Sequence, residues 1–223
     1  MPAKNPHDNF AASRGQDARA PEKKQLAAIV LAAGASTRLG RPKQLLELQG
    51  KPLVVRACEA ISGAGIKDIV VVVGANAAQV RGTLAKQPVR IVENPAWAEG
   101  MGASIRAGIA AAIRGGLAET ALPAGVLIAL CDQPYFSAET VKKLLAAWRA
   151  ADGAPDAIVA ARYAGHAGVP AIFGRNYFAQ LRALAGAEGA KPILSGNTRN
   201  LRPVDLPELA VDVDTPEDWA RLG

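Results

Sequence analysis

The sequence predicts an α/β protein built on a mostly parallel, doubly wound sheet of the Rossmann-like kind. Three observations carry that reading. Short apolar runs alternate with stretches of helical spacing between residues 26 and 163. The runs are apolar on both faces, as strands must be when helices cover both sides of a sheet. Glycine or another turn-forming residue punctuates most changes of rhythm.

The elements follow in order. "LAAIVLAA" (26–33) is a short apolar run ended by Gly34, which suits a buried strand. "PLVVRACEAISGAG" (52–65) has helical spacing and a glycine stop. "DIVVVVG" (68–74) is a second buried strand, "ANAAQVRGTLAK" (75–86) a helix and "VRIVEN" (89–94) a third strand. "GMGASIRAGIAAAIRGG" (100–116) is a helix of small residues, and "GVLIALCD" (125–132) a fourth strand. Ser137 is placed to cap a helix over 137–151, and "DAIVAARY" (156–163) is the fifth strand. Beyond 163 the rhythm loosens. "GVPAIFG" (168–174) reads as a strand, "NYFAQLRALAG" (176–186) as a helix and "LAVDVDT" (209–215) as a short strand. A last helix opens at Thr215, with Pro216 in its first position and acidic residues behind it. Residues 1–25 are polar and of mixed charge, without apolar period. They read as a disordered tail ahead of one domain over 26–223, and His7 lies in that tail.

The bulk composition narrows the function. The net charge is +6 over 223 residues, without basic blocks, which suits small polyanions rather than a nucleic-acid duplex. Aromatic residues make up 4%, too few for a base-stacking platform. Two cysteines, Cys58 and Cys131, have no C-x-x-C spacing, so neither a disulfide scaffold nor a zinc site is expected. No apolar stretch reaches membrane-spanning length, and the N-terminus carries no signal-like apolar core. A cytoplasmic protein is the expectation.

In open α/β sheets, ligands bind beyond the carboxyl ends of the strands. Three stretches sit there: 34–43, 94–104 and 132–135. The first, within "LAAGASTRLGRPK" (31–43), offers bare backbone at Gly34 and Gly40 with Arg38 and Lys43 as cations. It is not the phosphate loop G-x-x-x-x-G-K-(S/T), because Gly34 and Gly40 are one residue too far apart. Gly100 and Gly102 begin a dinucleotide fingerprint, but Ile105 stands where its third glycine belongs. By spacing alone, 34–43 suits a phosphate cradle and a solvated turn equally well. Asp132 likewise suits a metal ligand or a turn residue before Pro134. Cys131, Asp132 and His166 invite a thiol-hydrolase arrangement, but Cys131 ends a buried apolar run and reads as inert core. Lys51 and the basic residues of 141–149 read as solvated.

Four ordered blocks resemble the small-molecule nucleotidylyltransferases, specifically the molybdenum cofactor (molybdopterin) cytidylyltransferases of the MobA-like NTP transferase family. "LAAGASTRLGRPK" resembles their L-A-x-G-x-S-x-R-x-G-x-x-K signature. "ENPAWAEGMGASIRAG" (93–108), "LCDQPY" (130–135) and "VDVDTPEDW" (211–219) resemble the later three. The resemblance implies a nucleotide-diphospho-sugar transferase type of fold. It implies transfer of a nucleoside monophosphate from an NTP, with release of pyrophosphate, to a molybdopterin-type acceptor. Ala33 is similar to the branch that uses CTP, whereas a second glycine there marks the GTP branch.

Carried over, the resemblance makes Arg38, Lys43 and Asp132 the catalytic set. Leu31, Ala32, Ala33 and Gly34 would line the nucleotide, and Asn94, Gly100 and Ser104 would form its base and ribose side. Asp132 would bind Mg²⁺, with Asp214 or Asp212 completing the metal site. Those two aspartates are expected to alternate along a strand and so share one face. The chemistry suits these residue types, since attack at an α-phosphate needs positioning and charge stabilisation but no covalent nucleophile. Two acceptor-side blocks depart from the pattern: Ala167 stands for an arginine and Ala187 for an aspartate, with Glu188 beside it. A different phosphate acceptor, or a non-catalytic nucleotide- or cofactor-binding insertion chaperone, is therefore also compatible. Substrates would be small molecules, with no nucleic acid or membrane. A transient contact with a molybdoenzyme or its chaperone fits the cofactor reading.

Overall fold

The structure is a computed structural model and describes residues 25–114, 122–187 and 189–222. Residues 1–24 of the expected tail, the last two residues of the expected 100–116 helix, and Glu188 lie outside the described residues. The chain runs β1 (Leu26–Ala32), β2 (Glu47–Leu48), β3 (Lys51–Pro52), α1 (Leu53–Gly63), β4 (Asp68–Val73), α2 (Ala77–Leu84) and β5 (Arg90–Glu93). It continues through α3 (Met101–Arg114), β6 (Gly125–Leu130), α4 (Ala138–Ala150), β7 (Ile158–Tyr163) and β8 (His166–Gly174). It closes with α5 (Phe178–Arg182), α6 (Lys191–Gly196), β9 (Leu201–Asp205) and α7 (Pro216–Ala220).

Seven strands form one sheet in the order β5-β4-β1-β6-β8-β7-β9. Within β5-β4-β1-β6 every pairing is parallel. β1 is central, and its period of two divides the core. Ala28, Val30 and Ala32 join one apolar cluster with α1 and α4 residues. Ala27, Ile29 and Leu31 join a second with α3 and α5 residues. Helices thus cover both faces, which is why the strands read as apolar throughout. α3 lies close to the sheet because Gly108 has no side chain. A Cβ there would stand 2.6 Å from Ile29 Cγ2.

The sheet is mixed beyond β6. β8 runs antiparallel to both β6 and β7, and β9 returns parallel to β7. The cause is local. Tyr163 pairs with His166 across a two-residue loop, Ala164–Gly165, with φ of 49° and 79°. A loop with φ positive at both positions closes a hairpin, whereas a parallel crossover needs a dozen residues or more.

Three expectations are corrected. The strand expected at 209–215 does not form: Pro207–Ala210 is a 3₁₀ turn and 211–214 is irregular. Its amides are claimed elsewhere. Val213 N–H donates to Asp132 O (3.1 Å), and Asp214 N–H and Thr215 N–H both donate to Asp218 Oδ2 (3.2 and 2.9 Å). Val213 is fully buried among Leu39, Leu46 and Leu53, while Val211 is exposed, so the strand alternation expected to set Asp212 and Asp214 on one face is absent. The helix expected at 176–186 is a 3₁₀ turn followed by the short α5. β9 and α6 were not expected. Pro203 interrupts β9 as a proline can only at a sheet edge.

The caps form as the sequence indicates. Ser137 Oγ accepts from Thr140 N–H at 3.3 Å. Thr215 and Asp218 make a reciprocal capping box, with Pro216 in the first turn of α7.

Candidate functional site

The parallel strands end together. Ala32 pairs with Val73, Val73 with Glu93 and Leu31 with Leu130, so β1, β4, β5 and β6 release their chains at one edge. Three strand spacings separate β5 from β6, about 14 Å, which matches the breadth of a nucleotide. The loops 33–43, 94–100 and 131–135 all leave from this edge.

The first loop is strapped from behind. Ala33 O accepts from Ala75 N–H at 3.1 Å. Gln44 Nε2 donates to Ala32 O (3.0 Å) and to Gly34 O (2.7 Å). Ser36 adopts φ of 58°; its Oγ accepts from Lys43 N–H at 3.1 Å, and its carbonyl accepts from Leu39 and Gly40 N–H. Gly40, at φ 72°, closes the turn. The N–H groups of Gly34, Ala35, Ser36 and Thr37 have no hydrogen-bond partner among the described residues. Four successive free donors make an anion-seeking surface. Leu31 lies beneath it in the core, and Ala32 and Ala33 are buried. The Ala33 methyl is held against Gly74, where a Cβ would come within 2.9 Å of it.

Charge gathers at the end of this loop. Lys43 Nζ donates to Asp132 Oδ2 and, at 3.2 Å, to Asp214 Oδ1. Arg38 donates to Asp214 Oδ2 at 2.7 Å from an exposed side chain. Leu39, Leu46, Leu53 and Val213 form the small apolar cluster that holds the loop and the C-terminal segment together. Lys43 titrates above an ordinary lysine: burial pulls it down, and the carboxylates of Asp132 and Asp214 outweigh that. Asp212 is pushed up to about 6, first by burial of its carboxyl and then by repulsion from Asp132 and Asp214. Gln133 Nε2 donates to Leu209 O (3.3 Å) and to Tyr163 OH (3.4 Å), bracing the same corner.

Among the described residues no group of three or more His, Cys, Asp or Glu forms a metal cluster. Mg²⁺ does not need one, because it takes one or two carboxylates and fills its octahedron with water and phosphate oxygens. Asp132 Oδ1 is buried and has no hydrogen-bond partner among the described residues. An unpaired buried carboxylate oxygen, with a second aspartate across Lys43, fits a divalent cation bound together with phosphate.

The other sequence candidates are placed as follows. Asn94 and Ser104 are buried and bonded to each other, Asn94 Nδ2 to Ser104 Oγ at 3.1 Å, and Asn94 Oδ1 accepts from Ala96 N–H. Each is thus the other's buried partner, at the start of the 94–104 stretch and within α3 respectively. Gly100 adopts φ of 115°, and a Cβ there would lie 2.8 Å from Ala187 Cα and Gly186 O. It therefore admits the 184–187 loop. Cys131 is buried, and its thiol is pushed far up by burial and by Asp132. His166 is exposed and makes no hydrogen bond to Cys131 or Asp132 among the described residues, so no thiol-hydrolase arrangement is assembled. Lys51 pairs with Glu59 in solvent. Sequence reasoning missed Gln44, Ser36, Gln133 and Tyr163. The signal for Gln44 was a lone polar residue beside Leu45 and Leu46.

The mostly parallel sheet with helices on both faces, together with the family match over most of the chain, defines the class: the protein is a nucleotidyltransferase. The chain belongs to the MobA-like NTP transferase domain family, which matches residues 28–204. A curated relative from Paenarthrobacter nicotinovorans, named nicotine blue oxidoreductase, is 35% identical over 206 residues, spanning 87% of this chain and 94% of that protein. Rv0371c from Mycobacterium tuberculosis H37Rv is 29% identical with a TM-score of 0.74, over 89% of this chain and 97% of that one. A structure of the same mycobacterial protein in complex with manganese is 27% identical with a TM-score of 0.68, over 89% and 97%. A nucleotidyl transferase from Methanothermobacter is 25% identical with a TM-score of 0.72, over 89% and 95%. Among the described residues no helix is long and apolar enough to cross a membrane.

Proposed function

We propose that this protein transfers CMP from CTP to the terminal phosphate of a molybdopterin-type cofactor, releasing pyrophosphate, with Mg²⁺ as the supporting ion and in the cytoplasm. The observation that carries the reading is the junction of loop and charge. Four backbone N–H groups without a partner among the described residues lead into Lys43 and Arg38, which are already set against Asp132 and Asp214.

The residues divide the work. The amides of 34–37 bind phosphate oxygens. Lys43 and Arg38 take up negative charge as the α-phosphate is attacked and pyrophosphate leaves. Asp132, with Asp214 or Asp212, would hold Mg²⁺, which when bound neutralises phosphate charge. The manganese complex of the mycobacterial relative supports a divalent ion here. Gly100 and the Asn94–Ser104 pair shape the base and ribose wall. The Gln44 and Ser36 hydrogen bonds and the apolar cluster around Val213 hold these groups in place before substrate arrives, so little reorganisation is needed.

CTP is favoured over GTP by Ala33, whose methyl occupies the position that a glycine takes in the GTP branch. The acceptor rests on the sequence blocks alone. Ala167 and Ala187 remove an arginine and an aspartate from the acceptor side, which favours a second reading in which another phosphate-bearing molecule receives CMP. The name of the Paenarthrobacter relative, nicotine blue oxidoreductase, supports a third, an oxidoreduction. One panel separates them: labelled CTP or GTP with molybdopterin, sugar phosphates and choline phosphate, beside a nicotinamide-cofactor oxidation assay. Transfer of label from CTP to molybdopterin is expected. Transfer only to another acceptor replaces the acceptor. Cofactor oxidation without transfer of label overturns the proposal.

A further inference from the structure

The assigned roles leave the buried polar side chain of Gln44 unused. Gln44 is 1% exposed and sits between the active-site Lys43 and the core residues Leu45 and Leu46. Burying an amide without partners is costly. Gln44 spends its donor on two main-chain oxygens, Ala32 O at 3.0 Å and Gly34 O at 2.7 Å. Its Oε1 stands 3.5 Å from Ser36 Oγ, the same hydroxyl that accepts from Lys43 N–H.

We infer that Gln44 is a positioning residue that sets the peptide planes of the phosphate loop and couples them to Lys43. A trans peptide is planar, with its C=O and N–H pointing in opposite directions. Holding Gly34 O toward Gln44 therefore turns the N–H of Ala35 away from the core. With Ala33 O held by Ala75, three successive carbonyls are anchored to protein donors. A loose loop would be free to turn a carbonyl dipole toward the triphosphate and repel it. Gln44 also shares a single 3₁₀ turn, Lys43–Leu45, with Lys43. One turn thus sends Lys43 to the carboxylates and the next side chain, Gln44, to the loop. Gln44 does not itself touch substrate. Its role rests on the reading of 34–37 as the phosphate site.

The test is calorimetric binding of inorganic tripolyphosphate and of CTP, with Mg²⁺, to the full chain. The variants are Gln44→Met, which keeps length and packing but cannot donate, and Ser36→Ala, at a half-buried loop position. Losing two fixed hydrogen bonds predicts affinity weaker by about tenfold to a hundredfold for Gln44→Met, and by several-fold for Ser36→Ala. In turnover, KM for the nucleotide rises while KM for the acceptor stays. A residue that only fills the core would lower the melting temperature and leave both affinities unchanged. Wild-type affinity in a folded Gln44→Met overturns the inference. If that variant does not fold, wild-type affinity in Ser36→Ala does so. A wild-type chain that binds neither probe overturns the phosphate reading of the loop itself, and the inference with it.

Discussion

Replacing Lys43 by methionine removes the cation on which the site's carboxylates converge. Its Nζ lies 3.2 Å from Asp214 Oδ1 and pairs more closely with Asp132. At an effective dielectric of about 20, a 3.2 Å pair carries about 5 kcal/mol of gross attraction. Most of that is offset by the cost of burying the ammonium, which methionine does not incur. The side chains of Lys43 and Asp132 are only 19% and 11% exposed, so removing one partner strands a mostly buried charge. Such losses run to about 3–5 kcal/mol. Asp214 is 35% exposed and keeps Arg38, which brings the expected cost down to about 2–4 kcal/mol. For a domain of this size that lowers the melting temperature by about 5–15 °C. The pH dependence has a definite sign. Lys43 is one of the groups holding Asp212 down, so without it Asp212 rises further above about 6. A carboxyl whose folded pKa is raised binds extra protons in the folded state, so stability falls as pH rises through that value. The deficit of Lys43→Met is therefore larger at pH 8 than at pH 5. Melting followed by circular dichroism at both pH values measures it. An unchanged melting temperature at pH 8, or a deficit that grows on acidification, would refute the reasoning.

Two further outcomes follow from the same geometry. Gly100→Ala places a Cβ 2.8 Å from Gly186 O at φ 115°, a double strain of about 2–3 kcal/mol. It should also displace the 184–187 loop that Gly102 N–H and Arg106 hold, and because Gly100 itself shapes the nucleotide wall, nucleotide and acceptor KM should both rise in steady-state kinetics. Asp212→Asn removes a carboxyl raised to about 6 by burial and by Asp132 and Asp214. Its cost in the native protein is absent below about pH 4 and complete above about pH 6. Urea denaturation should therefore show the variant more stable at pH 8, by about 1 kcal/mol once its exposure is allowed for, and equal at pH 4.

What the sequence made legible depends on how local each cause is. β1, β4 and β6 were readable because burial on both faces leaves an unbroken apolar run. The α7 capping box was readable because Thr215, Pro216 and Asp218 act within one turn. β9 was hidden, because Arg202 and Pro203 break its apolar pattern and a sheet edge tolerates both. The 211–214 segment was misread as a strand because alternation alone cannot reveal that Val213 N–H goes to Asp132 O, far away in sequence. In the site, Arg38, Lys43, Asp132 and Asp214 came from motif spacing and resemblance, and the structure brings these four together. Asn94 and Ser104 carried no local sign that each would be the other's partner. Gln44 reads as a surface residue until the fold buries it against the loop carbonyls.

The central claim is nucleotidyl transfer supported by Mg²⁺ at the Asp132 corner. Pyrophosphate release from CTP in the presence of molybdopterin, with and without Mg²⁺, in wild type and Asp132→Asn, tests it most directly. The account predicts Mg²⁺-dependent release with CTP well above that with GTP. It also predicts a loss of about a hundredfold to a thousandfold in a variant that still folds. Wild-type turnover in Asp132→Asn, or no pyrophosphate from either nucleotide with any acceptor, would contradict it.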